Sequence, residues 1–405
     1  MPVVRYLSSI VALLVAFAIG EIAIRSVGTW DIDGNFTVRG RALRPYRLPV
    51  ERTRQRVRVY VENRSLTHLT ADAVTGWRPR PSARSASGPY QYDASGTRTG
   101  PGERPRDDAG DALGIAIFGD SFTHGDELEY EDTWGAQLER ALGQRGHPTR
   151  VYNFGVGGYG MDQAFLRWRD VGRHAGPEIV ILGLQMENVK RNLNLVRAML
   201  YIDSGLPFSK PRFFRTSSGL ELANVPTVPP EQLVDLIAHF PRWKYAPLEY
   251  FYDPDDYRDR PWLHSKLLAM ISSVVRSRVE GDFSYAIDDE PARLTLAIVS
   301  QFGREVAAAG SRFVVVHLAT RSDLLALQRG RPWAYRELLD RLDERQELVR
   351  TGDLLLEAAP GGDVGPLFLE SHYSATGAAA VALAIAEHMA STAPVAETVA
   401  HDPAH

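Results

Sequence analysis

The run Ile115-Ala-Ile-Phe-Gly-Asp-Ser121-Phe-Thr-His-Gly125 constrains this chain most. Four apolar residues form a short strand, which breaks at once into a glycine, a carboxylate and a serine on a tight turn. A turn at the carboxyl end of a parallel strand lifts a side chain out of the sheet. The helix that follows offers free backbone N–H groups to an anion. A serine placed there can be both nucleophile and oxyanion donor. Alone, the tripeptide is equally a turn whose Asp120 and Ser121 cap the next helix.

Chemistry at a serine also needs a general base and further oxyanion donors, and the chain carries candidates for both. After a helical stretch from Asp132 to Arg145, the strand Arg150–Phe154 runs into the glycine cluster Gly155 to Gly160, where backbone can approach a ligand closely. The strand Glu178–Gly183 leads to Asn188, a side-chain amide at the same predicted sheet edge. Late in the chain, Glu370-Ser-His372-Tyr precedes an Ala-rich helix over Ala378 to Met389. His124, three residues after Ser121, is read as a bystander pointing aside, and Asp120 as a turn residue.

This ordered set resembles the SGNH (GDSL-type) hydrolase superfamily, over about residues 110 to 390. The resemblance implies Ser121 as nucleophile and oxyanion donor, with Gly158 and Asn188 completing the oxyanion hole and His372 as general base. It implies a three-layer α/β/α sandwich with a parallel, flavodoxin-like sheet, no cofactor and no metal. The superfamily usually sets an aspartate three residues before the histidine, but that position is Leu369. Glu370 is therefore the candidate acid, with Asp363 or a backbone carbonyl as alternatives. Asn192 and Asn194 are alternatives to Asn188. A weaker resemblance, carried by Glu187-Asn-Val-Lys-Arg-Asn192, Lys210-Pro-Arg-Phe and His372-Tyr-Ser, is to membrane-anchored members associated with surface-polysaccharide assembly. It implies an ester-hydrolysing enzyme acting on O-acetyl groups of a cell-surface glycan. The alternatives are an O-acyltransferase, a lipid or thioester hydrolase, and a catalytically weak, membrane-tethered glycan-binding or assembly protein whose acid has drifted to Leu369.

Tyr6 to Gly20 is uncharged and mostly apolar, which addresses a membrane. It reaches the ~20 residues that span a bilayer only by including Glu21 to Ile24. Ala16-Phe-Ala18 offers a signal-peptide cleavage site as the alternative to an uncleaved anchor. The expected location is a single pass through the cytoplasmic membrane with the body on the extracytoplasmic, periplasmic side. Eight arginines between Arg39 and Arg58 oppose that orientation by the positive-inside rule, but long domains translocate largely regardless of charge. The basic run is read as a solvated linker, with anionic headgroups or an acidic polysaccharide as alternative contacts.

Composition removes other classes of chemistry. With no cysteine, disulfides and thiolate catalysis are excluded, and a formal net charge of -4 gives no electrostatic case for nucleic acid. Neither a phosphate loop nor a His-Glu-x-x-His zinc pattern occurs in the sequence. The expected partners are an acylated glycan or other small ester and the cell membrane, and no protein partner is indicated. The expected organisation is an anchor over 1–29, an irregular extension over 30–111 with strand-like pieces such as Val57 to Val61, a hydrolase domain over 112–390, and a disordered tail over 391–405. Alternating strands (Leu113–Phe118, Arg150–Phe154, Ile179–Leu182, Arg312–Leu318) and helices (Asp132–Arg145, Asp162–Gly172, Pro291–Ala309) predict a parallel sheet covered on both faces. An insertion at about 193–289 is rich in aromatics, among them Phe213, Phe240, Trp243, Tyr245, Tyr250, Tyr252 and Trp262. These are read as the insertion's own core, with a substrate lid as the alternative.

Overall fold

The computed structural model describes residues 2–86, 88–102 and 112–392. Its centre is a seven-stranded sheet of β1 (Gln91–Tyr92), β2 (Arg98–Thr99), β3 (Leu113–Phe118), β4 (Thr149–Asn153), β5 (Ile179–Leu184), β6 (Arg312–His317) and β7 (Glu347–Arg350). The strands stand in the order β7-β6-β5-β3-β4-β2-β1, the first five parallel and the last two joined antiparallel at the free edge of β4. The chain passes from β3 to β4 on one side and then crosses to β5 on the other. The crevice at the carboxyl ends of β3 and β5 is therefore the topological switch point, where ligands of open α/β sheets bind.

Alternation along the strands builds two cores. Ile115, Ile117, Ile181, Val314 and Val316 face one side, with α4 (Trp134–Gln144) and α9 (Ala375–Thr392). Ala116, Phe118, Val180, Leu182 and Val315 face the other, with α5 (Met161–Asp170) and α8 (Glu290–Ala308). Both faces of β3 are buried, which explains why it reads as an unbroken apolar run rather than an alternating one.

The described part of the stretch over 30–111 is not irregular. It holds a small antiparallel sheet (Gly28–Trp30, Phe36–Val38, Arg41–Ala42), helix α2 (Val50–Glu62), a two-stranded ribbon (Leu69–Asp72, Gly76–Pro79), and β1 and β2 of the main sheet. Val57 to Val61 is helical: Thr53, Val57 and Tyr60 bury one face at i, i+4 and i+7, while Val59 and Val61 stay exposed. Nor are the arginines a solvated linker, because Arg44 pairs with Asp256 at 3.0 Å and Arg52 with Asp33 at 2.8 Å and Asp31 at 3.1 Å. In the insertion, Phe240 packs with Trp243, Tyr245 and Tyr252 as a separate small core, while Phe213 joins the main one. Most of the tail expected from residue 391 lies outside the described residues, and α9 runs to Thr392.

Candidate active site

β3 ends at Phe118, and the chain turns through Gly119 and Asp120 into the short helix α3 (Ser121–His124). Close packing demands the glycine: a Cβ there would meet the Gly183 carbonyl oxygen at 2.7 Å and collide with the Thr123 hydroxyl. Asp120 is the N-cap, its Oδ1 accepting from the Phe122 N–H at 3.0 Å. Ser121, 8% exposed, follows with both its Oγ and its backbone N–H lacking a hydrogen-bond partner among the described residues.

The second carboxylate oxygen of Asp120 gathers the rest of the site. It accepts from the Asn188 Nδ2 at 2.9 Å and from the Arg191 guanidinium at 2.8 Å, and both donors also reach the Tyr159 carbonyl, at 3.3 and 3.1 Å. Asn188 and Arg191 lie on α6 (Glu187–Arg191), one short turn after β5. Burial opposes the charge on Arg191, but Asp120, Tyr201 and Glu187 together outweigh it, so the guanidinium sits above the ordinary arginine range. The glycine segment after β4 is thereby tied, through Tyr159, to the residue preceding Ser121.

That segment is held from outside, which leaves its inner N–H groups open. Asn153 donates to the Thr123 carbonyl at 2.9 Å and accepts from Gly155 N at 2.9 Å, and Val156 N donates to the Gly119 carbonyl at 3.1 Å. Trp77 Nε1 donates to the Gly157 carbonyl at 3.1 Å, and Arg197 donates to that of Gly158 at 3.2 Å. Gly158 has φ +81, where an L side chain is strained. Its N–H has no partner among the described residues. Asn188 Nδ2 faces two acceptors, Asp120 Oδ2 and the Tyr159 carbonyl; the longer bond, to Tyr159, is the weaker one. Of the alternative amides, Asn194 Nδ2 is held by Glu249 at 3.0 Å and the Val196 carbonyl at 2.8 Å, and Asn192 Nδ2 donates to Thr295 Oγ1 at 3.2 Å.

His372 reaches the site from the loop before α9. Its ring lies 5.0 Å, centroid to centroid, from that of Phe122, the neighbour of Ser121. Its Nδ1 donates to the carboxylate of Glu127 at 2.7 Å. The carboxylate bonded to the His372 ring is therefore Glu127, six residues after Ser121 in sequence, and not Glu370. Glu370 sits exposed at the tip of a tight turn, where Leu369 N donates to the His372 carbonyl at 2.8 Å and Phe368 bridges Tyr373. That turn points Glu370 away, and it makes no hydrogen bond to His372 among the described residues. Asp363 instead accepts from Gly365 N at 2.8 Å. Glu127 adopts φ +70, unusual for a residue with a side chain, and its N–H donates to Tyr90 Oη at 3.0 Å. Such backbone gathers at functional sites. The sequence signal was a carboxylate just past the nucleophile helix, in a stretch with many carboxylates.

His124 turns away from Ser121, as expected, into a buried cluster. Its Nδ1 bonds Asp126 at 2.5 Å and its Nε2 meets Tyr92 Oη at 2.8 Å, with Tyr92 stacked between His124 and His68. Burial pushes His124 below the ordinary histidine range and His68 down to about 4. Lys210 is also structural: buried, it bonds Asp162 at 2.5 Å and the carbonyls of Asn194 and Pro211. Among the described residues no His/Asp/Glu cluster could hold a metal ion.

No family model matches this sequence, and no curated protein does. Solved structures with a similar chain path include TesA, at 10% identity and TM-score 0.36, covering 68% of this chain and 98% of that one. A lipase/acylhydrolase from Enterococcus faecalis matches at 11% identity and TM-score 0.36, covering 68% and 95% respectively. A member of the lipolytic protein G-D-S-L family from Veillonella parvula matches at 11% identity and TM-score 0.31, covering 68% and 97%. The functional reading therefore rests on the site's own geometry.

Proposed function

We propose that the chain is a serine ester hydrolase of the SGNH type, with Ser121 as nucleophile, His372 as general base and Glu127 as the acid that orients it. One observation carries this reading: the imidazole is held through Nδ1 by a carboxylate at 2.7 Å and lies against Phe122, the neighbour of Ser121, whose hydroxyl and N–H have no partner among the described residues. A histidine so held keeps Nε2 free to take a proton. No Ser121–His372 hydrogen bond is present among the described residues, and such bonds often tighten only around substrate.

In the reaction, His372 Nε2 takes the Ser121 proton as Oγ attacks an ester carbonyl. The tetrahedral oxyanion is met by the N–H groups of Ser121 and Gly158 and by the Asn188 amide, which exchanges its long bond to Tyr159 for the oxyanion. Collapse breaks the bond to the alkoxy oxygen, which leaves as the alcohol with the proton from His372. Water, activated by the same imidazole, then frees the acid. Asp120 is a positioning residue in this scheme, because it aligns Asn188 and Arg191.

The substrate class we favour is an O-acetylated cell-surface glycan, on the resemblance and on the apolar N-terminal helix. That helix, over Tyr6–Val27, is long and apolar enough to cross a membrane. We place it as an uncleaved anchor with the body outside the cytoplasmic membrane. The glycan-binding alternative drew on the missing acid at Leu369 and on the extended asparagine block around Asn188, and the Glu127 carboxylate on His372 answers the first of these. Acetate release from O-acetylated polysaccharide, together with turnover of p-nitrophenyl acetate and octanoate, tests the reading with wild type and Ser121→Ala. Ser121-dependent acetate release supports it. Preference for octanoate with no glycan turnover would move the substrate to lipid esters, and turnover that persists in Ser121→Ala would refute the mechanism.

A further inference from the structure

The N-terminal helix α1 (Pro2–Val27) is bare over Tyr6–Ile19, and from Gly20 onward it is docked. Gly20 lies against Leu267, where an added Cβ would meet Leu267 Cδ2 at 2.8 Å. The Glu21 carboxylate caps the helix α7 (Lys266–Glu280), accepting from Ser265 Oγ at 2.7 Å, Lys266 N at 3.0 Å and Leu267 N at 2.9 Å. Arg25 donates to the His264 carbonyl at 3.1 Å, and Ile24 packs on the cluster of Phe36, Leu43, Leu263 and Ala269. Anchor and α7 therefore form one joint, with little freedom for the domain to hang away from the membrane.

The bare stretch is too short to span alone. Its length is about 21 Å at ~1.5 Å rise per residue, against about 30 Å of hydrocarbon. The apolar stretch long enough to span, Tyr6–Val27, runs on into the docked part, which sets the joint at the level of the bilayer surface. What the protein presents there is apolar on its outer side. Ile271, Val274, Val275 and Val279 recur at i, i+3, i+4 and i+8 along α7, and Val275 and Val279 are 54% and 76% exposed. The inner side, with Ala269, Met270 and Ser273, packs on the domain, and Arg44 N donates to Ser273 Oγ at 2.9 Å. Trp30 and Trp262, 63% and 45% exposed, flank the same joint, where aromatic rings suit headgroup depth. A depression of about 930 Å³ lined by Val38, Arg39, Arg41, Tyr46, Val274 and Arg278 borders the apolar face. Those three arginines have no carboxylate partner among the described residues.

From this we infer that α7 is an interfacial helix: its outer face, with Trp30 and Trp262, lies in the bilayer–water boundary, with Arg39, Arg41 and Arg278 at the phosphates of anionic phospholipids. An apolar stripe edged by arginines and tryptophans has the chemistry of such helices. The inference rests on the reading of α1 as an anchor and adds that the domain sits on the membrane at a fixed height.

The chain lacks cysteine, so single-cysteine variants can be spin-labelled without background. Full-length L13C, V275C and S217C, the last in an exposed turn distant in sequence from the joint, are placed in nanodiscs of phosphatidylcholine and phosphatidylglycerol. Label accessibility to oxygen and to a water-soluble nickel chelate is then compared. The expected result is an oxygen-to-nickel ratio at Leu13 and Val275 several-fold above that at Ser217, with Val275 the shallower of the two. A label at Val275 in water while that at Leu13 is in lipid would overturn the interfacial helix and leave the anchor standing. Both labels in water would remove the anchor and the inference with it. A label at Val275 shielded from both reagents would mean that protein, not lipid, covers the face, and would overturn the inference as well.

Discussion

At the scale of single residues, the site turns on which carboxylate holds the imidazole. In serine proteases, loss of the triad acid lowers turnover by about 10⁴. Glu127→Gln is therefore expected to cut kcat by about 10² to 10⁴, while Glu370→Gln leaves kcat within about twofold, measured on one activated ester. A second prediction concerns Asp120, whose Oδ2 serves both Asn188 and Arg191. Asp120→Asn keeps one acceptor but removes the charge that pairs with Arg191. It is expected to lower kcat at least tenfold with KM little changed, as befits an interaction that shapes the oxyanion site rather than ground-state binding. An equal rise in KM with kcat intact would place Asp120 outside that role. The segments that carry Ser121, Gly158, Asn188 and His372 were legible in sequence because each is a short run of turn-forming or polar residues next to an apolar strand or helix. Glu127 was not. The chain separation between Glu127 and His372 spans most of the domain, and only folding of β3 and α9 against one sheet brings the two together.

Among the elements, the nucleophile turn owes its shape to small residues at close approaches. Gly155 presses on α3, and a Cβ there would lie 2.8 Å from the Thr123 carbonyl carbon and collide with the His124 N–H. Gly155→Ala is expected to cost on the order of 1–3 kcal/mol, as overpacking does. It should also depress kcat, because α3 must shift; urea unfolding and ester turnover check the two effects separately. Strands β3 to β6 and their helices were read from the sequence to within a few residues, since buried parallel strands leave continuous apolar runs. β1, β2 and α2 were missed for physical reasons. The first two are very short and are strands only because the edge of β4 needs pairing. In α2, arginines separate the valines, which gives a false strand period while tertiary burial of Val57 and Tyr60 selects the helix.

For the whole molecule, buried neutral histidines tie stability to pH. Burial holds His68 and His317 at about 4, against an ordinary value near 6.5. Both groups are neutral in the folded chain where the unfolded chain is already protonated. Their contribution is fully present above about pH 6.5 and is lost as pH falls toward 4, because the unfolded state binds more protons in that window. His317 is fully buried, with neither ring nitrogen hydrogen-bonded among the described residues and with the rings of Trp333 and Tyr335 tilted against it. His317→Phe is accordingly expected to flatten the loss of stability between pH 7 and 5, by up to a few kcal/mol, in unfolding experiments on the detergent-solubilised chain. A slope identical to wild type would contradict that assignment. The proposed chemistry needs Ser121 to be activated by a histidine that Glu127 holds. The most direct measurement is the rate of covalent labelling by a fluorophosphonate, with the adduct located by mass spectrometry, in wild type, Ser121→Ala, His372→Ala, Glu127→Gln and Glu370→Gln. The expected adduct is on Ser121; its formation vanishes in the first two variants, slows at least a hundredfold in Glu127→Gln and is unchanged in Glu370→Gln. A folded wild-type chain that takes no label, or one whose labelling depends on Glu370 and not on Glu127, would contradict the proposed chemistry.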